Sequence, residues 1–190
     1  MSSWLDVALL AVLIVLNGVF AMSEISLVTS RRARLQRLID DKVAGAERAR
    51  ELNADPNRAL STIQVGITSI GILSGIVGES ALARPMEAFL VMVGLSPETA
   101  KAIGLFVVVV LITYFSIVMG ELVPKRIGQI SPERIACRLA PPIHCLSIIA
   151  APFVKLLSAS THLLLKRLGI SETQGSSVTE EEIHAMIEEG

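Results

Sequence analysis

Cysteines and recognisable enzyme motifs are scarce in this sequence of 190 residues, and each absence excludes a class of protein. The two cysteines, Cys137 and Cys145, form no CxxC pair and no Cys/His quartet, so neither a disulfide framework nor a zinc site is predicted. No Ser-His-Asp, HExxH, Walker or Rossmann pattern occurs. We therefore expect a protein that is not an enzyme, and we expect no nucleic-acid partner.

Apolar residues are what the sequence has in excess. Hydrophobic residues make up 52% of the chain, whereas aromatic residues make up only 4%, and the mean hydropathy is +0.61. An ordinary soluble domain has a lower apolar share, interrupted by polar faces. The composition therefore predicts a membrane domain.

Three apolar stretches are long enough to cross a bilayer, which takes about 20 residues of helix. They cover residues 4–28, 60–77 and 103–119. The second is rich in Gly, Ser and Thr, which favour close helix packing over contact with lipid. The expected fold class is an all-α membrane protein with three transmembrane helices.

A fourth apolar segment, 143–165, allows two interpretations. It is long enough to span, but Lys155 lies in its middle and Pro152 lies close by. Because a charge in mid-membrane is costly, we favour an amphipathic belt helix over 133–167 that lies in the membrane interface and bends at the prolines. A fourth spanning helix remains the alternative.

The cations predict the orientation. Of the 17 Lys and Arg residues, eight lie in 31–58 and seven lie from Lys125 onward, whereas only two lie between the second and third spans. By the positive-inside rule, the N-terminus is outside and the C-terminus is cytoplasmic. We expect a multi-pass protein of the cell (inner) membrane.

The last segment, 170–190, is polar and begins as a linker. Thr179 and Glu182 have the spacing of a capping box, which predicts a short helix. We therefore expect 1–169 to be the membrane domain and the chain to end at the start of a cytoplasmic module.

Polar residues near the cytoplasmic ends of the spans are candidates for cation binding. Asn17 and Glu24 share one face of the first span, and the third span ends in Gly120, Glu121 and then Pro124. Proline cannot donate a hydrogen bond to the carbonyl group four residues before it. GELVP is thus predicted to be a broken helix end that presents a free carbonyl oxygen to a hard cation.

Structural roles are the alternative for each of these residues. Glu121 and Lys125 have the spacing of a salt bridge within one helix turn, which would only end the helix. Glu24 has Arg31 as a further possible partner on the same face. The small residues of the second span have tight packing as their alternative role.

Four stretches of the sequence form an ordered set of motifs: FAMSEISLVTSRRARLQRL, STIQVGITSIGILSGIVGE, GELVPKRIGQISPERIA and VTEEEIHAMIEEG. Together they resemble the transmembrane domain of the CNNM/CorC family, also called hemolysin-like proteins. The resemblance implies a homodimer with three spanning helices and a belt helix. It also implies magnesium and cobalt efflux, and a following pair of CBS domains, absent from this chain, that bind adenine nucleotide.

The resemblance also implies a set of site residues. Ser23 and Glu24 match the first-helix motif, Gly66 the second, and Gly120, Glu121, Pro124 and Lys125 the third. Our hypothesis from these matches is that Ser23, Gly66, Thr68 and Gly120 supply oxygens to magnesium, while Glu121 tunes the charge of the cavity. The residues Asn17, Pro124 and Lys125 would have structural or gating roles. Where magnesium transporters of the family often read IGNN, this chain reads VGIT, so Thr68 or Ser69 would replace an amide oxygen.

The function expected from the sequence is export of a cation, most readily magnesium, under control of the CBS module. Two alternatives remain open. The VGIT variant resembles the hemolysin-like branch, which includes an exporter of polyamines such as cadaverine and putrescine. A sensor would bind the cation at the same residues without transporting it.

Overall fold

The computed structural model describes residues 3–169, and this part of the chain contains helices and turns but no strand. The helices are α1 Ser3–Thr29, α2 Arg32–Asp40, α3 Ala46–Ala54, α4 Pro56–Gly78, α5 Arg84–Met92, α6 Pro97–Ile117, α7 Val123–Ile130, α8 Pro132–Ile149 and α9 Ala151–Arg167. Two π-helical turns, Glu79–Ala83 and Val118–Leu122, connect α4 to α5 and α6 to α7.

Three continuous helical segments are long and apolar enough to cross a membrane. They are Trp4–Thr29, Pro56–Met92 and Pro97–Ile130, and each contains one of the stretches predicted from the sequence. The predicted fold class, an all-α membrane protein, is confirmed. The helices α8 and α9 meet the same length and composition test only as a broken pair, so the described residues allow three spans, or four if that pair is one span.

The bend predicted at the prolines of the belt segment is only partly where it was expected. Pro141 and Pro142 lie inside α8, which continues through them. The interruption is at Ala150, and Pro152 is the second residue of α9, a position at which a helix needs no donor from the backbone N–H. Whether this segment lies in the interface stays a prediction. The helix predicted at Thr179 lies outside the described residues.

The chain forms two compact units, the first ending at Val154 and the second beginning at Lys155. In the second unit, the described residues are the remainder of α9 and the turn that follows it. All contacts discussed below belong to the first unit.

The main core of the first unit lies beside the C-terminal end of α1, where α2, α3, α4 and α8 pack together. Leu35, Ile63 and Cys137 are fully buried there. The helix α3 can approach α8 closely because it begins after Gly45, whose φ is +81° and whose missing side chain leaves room for the Cys137 carbonyl group. This core is rich in alanine, whose small side chain lets the short helices pack closely against the spans.

A stripe of small residues joins α1 to the third span. Gly120, Pro124 and Gly128 are buried at intervals of four residues along one face. A methyl group at Gly18 of α1 would lie 2.9 Å from Pro124 Cγ, and one at Gly128 would lie 3.0 Å from the carbonyl oxygen of Met22. Glycine at these positions lets the two helix backbones approach closely, as is typical of helices packed in a membrane.

Candidate functional site

The third span does not break at GELVP, so the prediction of a broken helix end is wrong. The helix passes through the π turn Val118–Leu122, in which Val123 N–H bonds to the Val118 carbonyl oxygen, and continues as α7. Pro124 is the second residue of α7. A π turn gives the backbone an extra residue just before a ring that would otherwise crowd the preceding carbonyl groups, so the helix accommodates the proline without ending.

The carbonyl oxygen of Gly120 is also not free, contrary to the prediction. The side-chain amide of Asn17 donates a 3.0 Å hydrogen bond to it across 103 sequence positions. The other atom of that amide, Asn17 Oδ1, is buried and has no hydrogen-bond partner among residues 3–169. This pair therefore places one satisfied and one unsatisfied oxygen at the α1 contact of the third span.

Two carboxylates share one ammonium group at the same contact. Lys125 Nζ lies 2.8 Å from Glu121 Oε1 on its own helix and 3.2 Å from Glu24 Oε2 on α1. The three side chains are partly exposed, at 31%, 41% and 28%. We call Glu24, Glu121 and Lys125 the acid–lysine cluster. Its formal charge is −1, and it joins the first span to the third.

The salt bridge between Glu121 and Lys125 that the sequence predicted is confirmed. Glu24 pairs with Lys125, and not with Arg31, which was its proposed neighbour on the same face. The interhelical bridge was missed because sequence spacing shows contacts within a helix and not between helices. The available signal was chemical: one lysine follows two acids, each placed near the end of an apolar span.

The other predicted oxygen donors do not join the cluster. Ser23 is buried, and its hydroxyl donates a 2.8 Å hydrogen bond to the Val19 carbonyl oxygen of the preceding turn. The open face of Gly66 is filled by the ring of Phe20, since a methyl group there would lie 2.6 Å from Phe20 Cε1. The packing alternative therefore describes Gly66 better than a ligand role does.

Thr68 and Ser69 are exposed on α4, and their side chains form no hydrogen bond with any residue of the described chain. The structure thus brings predicted site residues together in two groups that the sequence did not specify: Asn17 with Gly120, and Glu24 with Glu121 and Lys125. It does not bring the hydroxyls of Thr68 and Ser69 into contact with either.

The ligand chemistry of the described residues is limited. Residues 3–169 contain no group of three or more His, Cys, Asp and Glu side chains that could hold a metal ion. A divalent cation at the acid–lysine cluster would have two carboxylates, and Lys125 would have to leave them. The geometry as it stands is that of a site for an ammonium group, because two carboxylate oxygens accept from one –NH₃⁺.

Comparison with known families agrees with this arrangement of spans and motifs. The model of the Cyclin M transmembrane N-terminal domain matches residues 8–190. The chain belongs to the CNNM family. Its three long apolar helices and this family membership make it a multi-pass membrane protein.

Relatives of this CNNM-family chain include proteins named UPF0053 and one named a polyamine export protein. It is 44% identical over 186 residues to the UPF0053 protein sll0260 of Synechocystis sp.. This alignment covers 98% of the chain and 42% of that relative. It is 33% identical to the UPF0053 protein YhdT of Bacillus subtilis, over 95% of the chain and 40% of the relative. It is 28% identical to the polyamine export protein of Escherichia coli, over 94% of the chain and 40% of the relative. The chain thus spans about two fifths of the length of these relatives.

Proposed function

We propose that this CNNM-family protein exports an organic polycation, a polyamine such as putrescine or cadaverine. The observation that carries the proposal is the acid–lysine cluster, in which Glu24 and Glu121 hold the primary ammonium of Lys125 at 3.2 and 2.8 Å. A polyamine presents the same group at its end. The relative in Escherichia coli named a polyamine export protein adds independent support.

In this proposal, Lys125 is a tethered competitor of the substrate. A substrate ammonium entering from the cytoplasmic side displaces Lys125 Nζ from Glu24 and Glu121, and the return of Lys125 favours release on the far side. Because the cluster joins α1 to the third span, displacement of Lys125 also loosens an interhelical bridge. Binding and helix movement are coupled in this way.

The proposed setting follows the sequence expectations. The protein acts as a homodimer in the cell (inner) membrane, with its N-terminus outside and its C-terminus cytoplasmic. CBS domains following the membrane domain bind adenine nucleotide and regulate transport. These statements rest on the positive-inside pattern and on the family resemblance.

Magnesium is the second candidate substrate, and one observation favours it. Asn17 Oδ1 is a buried amide oxygen without a partner among the described residues, and Asn17 contacts Gly120, the neighbour of Glu121. Hard cations bind such neutral oxygens together with a small number of carboxylates. Cobalt would bind the same oxygen atoms. A protein that acts as a sensor would bind the ion there without transporting it.

The test is flux through the purified chain in liposomes, with labelled cadaverine and with Mg²⁺ as separate substrates. We expect cadaverine flux that falls about tenfold or more in Glu24→Gln and in Glu121→Gln, since each variant loses a charged acceptor. Glu79→Gln is the control, because Glu79 is exposed in the other π turn and forms no ion pair within residues 3–169. Flux of Mg²⁺ alone would replace the first proposal by the second. Binding of either cation without any flux would favour the sensor function over transport.

A further inference from the structure

A cleft with arginine walls lies between α2 and the start of α8, apart from the acid–lysine cluster. Its volume is about 490 Å³. Arg34 and Arg37 of α2 line one side, and Arg134 of α8 lines the other. Ile130, the last residue of the third span, also lines it and is 79% exposed. The cleft therefore combines cationic walls with an apolar edge where a membrane helix ends.

Some charged side chains of the cleft have partners within the described residues, and others have none. Glu133 is buried, accepts a 3.3 Å hydrogen bond from the Arg31 backbone N–H and lies 3.8 Å from Arg34 NH1. Arg37 and Arg134 form no ion pair with any residue of 3–169. Asp41 is the other acid in the lining. Two guanidinium groups thus remain available to an anion, while the buried acid has its own partners.

The start of α8 adds a second source of positive potential. Ser131, Pro132, Glu133 and Arg134 all line the cleft, and the N-cap residue Ser131 makes no side-chain cap hydrogen bond. The first N–H groups of a helix and its dipole favour a negative group. Arginine adds a planar fork of donors that fits phosphate oxygens.

We propose that this cleft binds a phosphate ester. Its expected source is the headgroup of an anionic phospholipid, because α1 ends at Thr29 and the third span ends at Ile130, so the cleft lies at the boundary of the membrane segment. Exposed Ile130 beside the arginines gives the start of an acyl chain an apolar contact. A bound headgroup bridges α2 to α8 and ties the cytoplasmic helices to the lipid.

The experiment measures binding to the purified chain in detergent by thermal shift and native mass spectrometry. The probes are short-chain phosphatidylglycerol, short-chain phosphatidylcholine and glycerol 3-phosphate. The test variant is Arg37→Gln with Arg134→Gln. The matched control is Arg32→Gln with Arg138→Gln, which removes the same charge from the same two helices at exposed positions outside the cleft.

We expect phosphatidylglycerol to bind more tightly than phosphatidylcholine, and the Arg37/Arg134 variant to bind it at least tenfold more weakly while the control variant is unchanged. Equal binding of glycerol 3-phosphate, lost in the same variant, would support the phosphate site and make its source soluble. An equal loss in both double variants, or no preference for the anionic probes in the unmodified chain, would overturn the proposal.

Discussion

Asn17 of the first span donates a hydrogen bond to Gly120, inside the π turn that precedes Pro124. The Asn17 side-chain amide lies 3.0 Å from the Gly120 carbonyl oxygen, and Pro124, four residues further along, has no N–H to offer that oxygen. The side chain of one membrane helix thus bonds to the backbone of another where the α-helical pattern is interrupted. Such a bond is valuable where no water is available to replace it.

Asn17→Ala is therefore expected to lower the free energy of unfolding by about 0.5–1.5 kcal/mol, because the buried Gly120 carbonyl group loses its hydrogen bond from the Asn17 side chain. Thermal unfolding of the purified chain in detergent measures the effect. Gln64→Ala serves as the control, since Gln64 is exposed on α4 and makes no side-chain hydrogen bond within the described chain. Equal stability of the two variants would mean that the Asn17 bond contributes nothing net.

Lys125→Ala is expected to open a site for free amines. The variant leaves Glu24 and Glu121 without their shared cation and should lower the free energy of unfolding by about 0.2–1 kcal/mol, the range of exposed ion pairs. Propylamine at millimolar concentration should restore the loss, because its ammonium replaces the lysine headgroup. Thermal unfolding with and without the amine measures this rescue.

The control for the amine rescue is Lys101→Ala, which removes an exposed lysine that forms no ion pair within residues 3–169. Propylamine should not change its stability. Stabilisation of both variants to the same extent would show a general effect of the amine, and would count against an ammonium site at Glu24 and Glu121.

Gly128→Ala and Gly71→Ala should change stability in opposite directions. A methyl group at Gly128 would contact Ile25 and lie 3.0 Å from the Met22 carbonyl oxygen, so we expect a loss of about 1–3 kcal/mol from overpacking. Nothing lies within 4 Å of a methyl group at Gly71, where alanine should gain about 0.5–1 kcal/mol of helix stability. Chemical unfolding of both variants measures the sign of the change in the free energy of unfolding. A loss at Gly71 as large as that at Gly128 would contradict the close packing assigned to α1 and α7.

The junction of α3 and α8 predicts a mild acid sensitivity. A hydrogen bond from Arg48 holds the pKa of Glu51 below its ordinary value, with His144 and Arg50 adding to the effect. A carboxyl group with a lowered pKa contributes stability above its unfolded pKa and loses that contribution as the pH falls through its folded pKa. Stability should thus decline from about pH 5 downward. Glu51→Gln should flatten this part of the profile of melting temperature against pH, and an unchanged profile would remove Glu51 as a cause.

The parts of the fold that depend on local sequence were predictable. Each of the three spans follows from a single apolar run, and the bridge from Glu121 to Lys125 follows from helix spacing. The contacts between Asn17 and Gly120 and between Glu24 and Lys125 were not predicted, because they depend on which faces of two helices about 100 positions apart are packed together. The repeat of small residues at Gly120, Pro124 and Gly128 was the sequence signal for that packed face.

The structure gives two of the predicted ligand residues a contact of their own. The Ser23 hydroxyl bonds to the preceding turn of its helix. The space beside Gly66 is filled by the ring of Phe20. Hydroxyl and glycine residues have such structural uses in membrane helices, and motif position alone does not separate these uses from ligand binding, so the ligand roles of both residues stay predictions.

The two π turns share a sequence arrangement, since each is followed by a helix whose second residue is proline, Pro85 in α5 and Pro124 in α7. A π turn holds one residue more than an α turn, and each residue rotates a helix by about 100°. The turn Val118–Leu122 therefore absorbs one extra residue within the turn, so the helix after it keeps the face that an uninterrupted α-helix would present. Deleting one residue there, before Glu121, would let the turn close as an α turn and would leave Lys125 on the side of Glu24. The extra residue thus lets a helix that contains Pro124 continue while Lys125 still faces the first span.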